Sequence, residues 1–217
     1  MGLRAVVFDF GMVITGPPDA HAHAELVRIT GLEADRFESL YWADRHAYDE
    51  GKLTGLGFWK KLVHDGKLSL PPSAIEELNR WDARMWTTVD PAMLDWQGRL
   101  KKHGLLTAIL SNMGDSVLEN IEREFEWLSD FDALVWSFQL GVAKPDPEIY
   151  RHLLKQLGVA AGETLFIDDK AVNVDAARAL GMNALVYITM ERLRADLVAQ
   201  GFSRDLPLPD PEISAQA

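Results

Sequence analysis

The chain has 217 residues, with 22 Lys plus Arg against 33 Asp plus Glu and a formal net charge of −11; that length allows one or two domains of roughly 150 residues. So acidic a surface repels polyphosphate backbones and anionic headgroups, so neither nucleic acid nor a membrane is expected as a partner. The absence of cysteine excludes disulfides, thiolate metal sites and cysteine nucleophiles and agrees with a cytoplasmic location, while 47 % hydrophobic and 25 % charged residues exclude wholesale disorder.

The first apolar run is Ala5 to Phe8. It leads straight into Asp9 without a small-residue cleavage site, which predicts a strand of the mature protein and not a signal peptide. Residues 16–89 contain no strand pattern. Within them 22–29, 34–48, 56–64 and 73–86 read as helices, with Phe37, Trp42, Phe58, Trp59, Trp81 and Trp86 on their apolar sides. These aromatics are expected to hold a helical insertion together, with one or two of them facing the cleft between the domains. From residue 90 strand and helix alternate. Asp90-Pro91 opens a helix that ends at Gly104, Leu105 to Leu110 is a strand, and Ser116 to Glu119 has the form of a capping box. Ala133 to Trp136 is the third strand. Asp146-Pro147 then opens a helix carrying Ile149, Leu153, Leu154 and Leu157, which stops at Gly158. Thr164 to Ile167 and Ala184 to Ile188 are the last strands, separated by a helix over 172–180. Apolar runs without alternation belong to strands covered on both faces. The expected fold is therefore α/β: a doubly wound parallel, Rossmann-like sheet formed by 1–15 and 90–202, an all-helical domain over 16–89, and a loose proline-rich tail over 203–217. No segment approaches the ~20 apolar residues of a membrane span.

Ligands of open parallel sheets bind beyond the carboxyl ends of the strands. Here those ends carry Asp9, Ser111-Asn112, a loop with Lys144, and Asp168-Asp169. A lone aspartate at a strand end is usually a helix cap, and a lone lysine is usually solvated. Four polar strand ends in one sheet exceed what capping explains. The histidines form no comparable set: His21 and His23, two apart on a helix, face different ways, and His46, His64, His103 and His152 are scattered.

With these residues in this order, the chain resembles the haloacid dehalogenase-like hydrolases. The first motif matches residues 6–14 around Asp9, the second Leu110-Ser111-Asn112, the third Lys144-Pro145-Asp146-Pro147, and the fourth Phe166-Ile167-Asp168-Asp169. The helical insertion stands where that family places its cap. The resemblance implies a Mg²⁺-dependent hydrolase of a small phosphorylated metabolite, with Asp9 as nucleophile forming an aspartyl-phosphate. Ser111 and Lys144 would be catalytic, Ser111, Asn112 and Lys144 would bind the phosphate, and Asp9, the Gly11 carbonyl, Asp168 and Asp169 would hold the metal. At an effective ε of about 20 each unit-charge pair 4 Å apart costs ~4 kcal/mol, so a carboxylate attacking a phosphate dianion needs the cations that Mg²⁺ and Lys144 supply.

Gly11 departs from the pattern, since phosphatases of the family usually carry a second acid there. A positioned general acid contributes about 10²- to 10⁴-fold. Three readings are compatible with its loss: a phosphatase with good leaving groups or an acid borrowed from the cap or a bound water; a metal-independent 2-haloacid dehalogenase, whose halide leaves without a proton; or a binding protein on the same scaffold. The retained Asp168-Asp169 pair favours the first, and Lys170 and Asn173 stand where the dehalogenases place Asn and Asp. Asn173 either orients Asp169 or caps its helix. Tyr41, Trp42, Arg45 and Tyr48 are candidates for substrate selection. The oligomeric state is left open.

Overall fold

The computed structural model describes residues 2–210. Strands β1 (Ala5–Phe8), β2 (Leu106–Ser111), β3 (Ala133–Trp136), β4 (Thr164–Asp168) and β5 (Asn183–Val186) form a parallel sheet in the order β3-β2-β1-β4-β5. Central β1 is buried at every residue, which accounts for its uninterrupted apolar run. Its side chains still alternate between faces: Val6 and Phe8 pack with Leu165 and Ile167, whereas Val7 packs with Phe166 on the other side.

Between β1 and β2 lie α1 (Ala20–Thr30), α2 (Ala34–Ala43), α3 (Arg45–Asp49), α4 (Gly55–Asp65), α5 (Pro72–Met85) and α6 (Pro91–Lys102). After β2 come α7 (Asp115–Glu124), the single turn α8 (Ser137–Leu140), α9 (Pro147–Leu157), α10 (Ala171–Ala179) and α11 (Met190–Ala199). Their ends follow local chemistry. The Asp90 carboxylate accepts from the Ala92 and Met93 N–H groups with Pro91 in the first turn, Asp146 caps Glu148 N–H, and Gly158, at φ 65°, closes α9 in the left-handed region. Strand order reverses between β1 and β4, so their carboxyl ends open a crevice, the place where open sheets of this kind bind ligands.

Helices α1 to α5 have their own aromatic core, in which Phe37, Tyr41, Phe58 and Trp59 are almost wholly buried. The two ends of this helical segment lie side by side: Thr15 bridges Val89, Gly16 N–H donates to Thr88 O at 2.8 Å, and Asp90 N–H to Ile14 O at 2.8 Å. The single helix expected over 34–48 breaks at Asp44 into α2 and α3.

Two further expectations fail for identifiable reasons. The capping box at Ser116 does not form, because α7 starts at Asp115 with Gly114 in the capping position. The Tyr48 ring stands 2.1 Å from where a Cβ on residue 114 would be, so only glycine fits there. The freed side chains reach the inserted helices instead: Asp115 accepts from Gly55 N–H at 2.8 Å, and Ser116 Oγ from Asn79 Nδ2 at 3.0 Å. Nor is the tail loose over 203–210. Leu206 is buried, Trp96 Nε1 donates to Pro207 O at 2.7 Å and an Arg99 N–H to Leu208 O at 3.2 Å. Prolines have no N–H to leave unpaired, and the carbonyls of Pro207 and Leu208 serve as acceptors for α6. The remainder of that expectation, over 211–217, lies outside the described residues. Among the described residues no helix is long and apolar enough to cross a membrane.

Candidate active site

Asp9 directly follows β1 and is tied to the neighbouring strand by its N–H, which donates to Ile167 O at 2.8 Å. Its Oδ1 accepts from Phe10 N–H at 2.7 Å and pairs with Lys144 Nζ at 2.9 Å. The chain then turns sharply over 10–14, where Met12 takes φ 63° and ψ 3°. A left-handed non-glycine residue costs about 1–3 kcal/mol, a strain typical of functional sites.

Lys144 is buried, and its three N–H donors are all matched: Leu110 O at 2.8 Å, Asp168 Oδ2 at 2.6 Å and Asp9 Oδ1 at 2.9 Å. Burial disfavours its charge, yet Asp9 and Asp168 overcome this and raise its pKa. Asn112 holds the loop that carries it, donating from Nδ2 to Lys144 O and accepting Lys144 N–H on Oδ1, both at 2.8 Å. Asn112 therefore positions Lys144, and it also lines the cavity in which the expected phosphate contact would be made. Asp168, at the end of β4, accepts from Lys170 N–H at 2.8 Å, from Lys144, and from Asn173 Nδ2 at 3.0 and 3.1 Å. Asn173 thus orients Asp168 and not Asp169. Burial pushes Asp168 up, but Lys144 and these hydrogen bonds hold it below the usual carboxylate range.

The outcome is a division of labour among three carboxylates whose oxygens lie within 4.8 Å of one another. Asp168 is saturated with donors. Asp169 accepts no side-chain donor of the kind that holds Asp168, and burial and Asp168 raise its pKa. Burial lifts Asp9 to about 7 against the pull of Lys144, with Asp168 and Asp169 adding to the rise. Crowded oxygens that raise one another's pKa are what a hard divalent cation with oxygen ligands relieves, so the donor set fits Mg²⁺. Ser111, at the end of β2, is buried at the same point, and its hydroxyl makes no hydrogen bond to a described residue.

These groups open into a cavity of about 240 Å³ beneath the inserted helices, lined also by Gly11, Met12, Trp42, Arg45, Asp49 and Trp86. Of the four candidates from that insertion, Trp42 and Arg45 reach the cavity; Tyr41 and Tyr48 do not line it. Their rings pack behind the Arg45 guanidinium, at 5.3 and 5.1 Å from its carbon. Arg45 is itself paired, with Asp82 at 3.0 Å and with Asp49 at 3.0 Å from Nε. Asp49 and Met12 were not foreseen as lining residues, whereas Trp42 and Trp86 belong to the aromatics of which one or two were expected to face the cleft. For Met12, adjacency to Gly11 was the available signal; for Asp49 no local pattern exists.

Comparison with known proteins agrees with this geometry. The family model described as "haloacid dehalogenase-like hydrolase" matches residues 3–181. The sesquiterpene phosphatase astK of Aspergillus oryzae is 38 % identical over 84 % of this chain and 88 % of its own length. The D-ribitol-5-phosphate phosphatase of Bacteroides thetaiotaomicron is 30 % identical over 82 % and 89 %. A haloacid dehalogenase family enzyme of the latter organism, solved with magnesium and inorganic phosphate, superposes with a TM-score of 0.73 at 19 % identity, covering 86 % of this chain and 95 % of that one.

Proposed function

The chain belongs to the haloacid dehalogenase-like hydrolases, and on that footing we propose that it is a Mg²⁺-dependent phosphomonoester hydrolase acting on a small phosphorylated metabolite through an aspartyl-phosphate on Asp9. The observation that carries this reading is the placement of Asp9, Asp168 and Asp169 oxygens within 4.8 Å of one another around the buried Lys144. The relatives named above are phosphatases of dissimilar esters, so phosphate-ester hydrolysis is what they share.

Phe10 N–H and Lys144 fix one oxygen of Asp9, leaving the other to attack phosphorus. In that step the new O–P bond forms as the ester O–P bond breaks, and water later cleaves the acyl phosphate. Ser111 Oγ would donate to a phosphoryl oxygen, and Lys144 stabilises charge on Asp9 and on the transferring group. Asp9, Asp169 and the Gly11 carbonyl would hold Mg²⁺, which supplies two positive charges against the phosphate. Asp168, with both oxygens engaged, serves to aim Lys144. Residues 16–89 would act as the cap that closes the cavity over the core, 1–15 and 90–202.

Gly11 supplies the test. With no acid there, hydrolysis should slow steeply as leaving-group pKa rises, aryl phosphates exceeding alkyl phosphates by about 10²- to 10⁴-fold beyond their solution difference. Gly11 has φ −66° and ψ 135°, open to any residue, and a Cβ on it would meet only Trp86 Cε3 at 4.0 Å. Gly11→Asp should therefore be accommodated and narrow the gap. A shallow dependence in the native enzyme would transfer the proton donor to Asp49, the carboxyl on the insertion's side of the cavity. Failure to turn over any phosphate ester would contradict the proposal.

A further inference from the structure

We infer that the esterified alcohol is a hydrocarbon, aliphatic or aromatic, and not a polyol. The inference rests on the phosphomonoesterase reading and concerns the wall of the cavity facing away from the phosphate end. The other polar groups of the lining, Ser111, Asn112, Lys144, Asp169, Lys170 and Asn173, belong to the core and stand at or beyond the strand ends that carry Asp9. On the far side the charged groups are Arg45 and Asp49, joined to each other at 3.0 Å, with Arg45 also committed to Asp82 at 3.0 Å. A polyol has several hydroxyls to satisfy, and the cost of desolvating each one without a fixed partner disfavours it.

The apolar lining of the cavity includes Phe10, Met12, Pro18, Trp42, Trp86 and Met113. Two of these are among the few large apolar side chains that the described surface leaves exposed, Met12 at 38 % and Trp42 at 52 %. Trp42 Nε1 donates to Glu38 at 2.8 Å on its own helix, so its hydrogen-bonding capacity is met there. Met12 is set at the mouth by a backbone conformation that methionine does not favour. Exposed apolar side chains gathered at the mouth of a polar-floored cavity mark a site for an apolar ligand. The floor takes the phosphate, and the wall takes a hydrocarbon.

A series of aryl phosphates of constant leaving-group pKa separates this wall from the chemistry: phenyl, 4-ethylphenyl and 4-butylphenyl phosphate, with 4-(2-hydroxyethyl)phenyl phosphate as the polar counterpart. With Mg²⁺ present, kcat/KM should rise about 3- to 4-fold per added methylene, and the hydroxylated ester should fall at least about 10-fold below the 4-ethyl ester. Trp42→Ser and Met12→Ala should flatten the series, bringing the ratio of 4-butylphenyl to phenyl phosphate toward one. A flat or falling series, preference for the hydroxylated ester, or an unchanged slope in both variants would each overturn the inference while leaving the phosphatase reading intact. Absence of turnover of phenyl phosphate itself would instead remove the reading on which the inference stands.

Discussion

Asp9→Asn is expected to lower kcat by about 10⁴-fold or more, the scale on which removal of a covalent nucleophile registers, while the protein stays folded. The amide keeps the volume, and its Oδ1 can still accept from Phe10 N–H and Lys144 as the carboxylate does, but it does not form the phosphoryl ester. Stability at pH 7 should hold or rise. Burial holds the Asp9 carboxyl at about 7, so ionising it in the folded protein opposes folding, and a neutral amide removes that opposition. Circular dichroism and thermal melting alongside turnover of phenyl phosphate provide the check. Full activity in the variant, or phosphate found covalently on another residue, would remove Asp9 from the centre of the mechanism.

Lys144→Met should have the opposite pattern, losing activity and stability together. The methionine matches the lysine in length but leaves Leu110 O, Asp168 and Asp9 without their shared donor. Breaking a buried ion pair from one side costs about 3–5 kcal/mol, equivalent to a Tm lower by roughly 6–20 °C for a chain of this size. Adding Asp168→Asn removes the stranded charge. The double variant should regain part of the stability and none of the turnover, a coupling that a double-mutant cycle reads directly. A Tm within a degree or two of the native value for the single variant would mean that Lys144 does not bear the charge of the site.

The parts of the site legible in the sequence are those in which chemistry and periodicity coincide. Continuous apolar runs identify doubly covered strands, and Asp9, Ser111 and Asp168 are the residues at which three of those runs end. What escaped depends on partners far apart along the chain. That Asn112 also holds the Lys144 loop, 32 residues later, has no signal in its own surroundings along the chain. Tyr41 and Tyr48 sit on the right helices, yet Arg45 comes between them and the cavity, anchored by Asp82 37 residues away. The start of α7 shifted because the Tyr48 ring occupies the space beside Gly114. No local signal encodes that contact, since it exists only after the helical insertion has packed against the sheet.

The central claim, a metal-dependent phosphatase and not a halide-releasing enzyme, is tested most directly by assaying the purified protein for phosphate release from phenyl phosphate and for halide release from 2-chloropropionate, first in chelator and then across a Mg²⁺ titration. The account predicts no phosphate release in chelator, recovery that saturates with added Mg²⁺, and no halide under either condition. Phosphate release insensitive to the chelator, or halide release without metal, would contradict it.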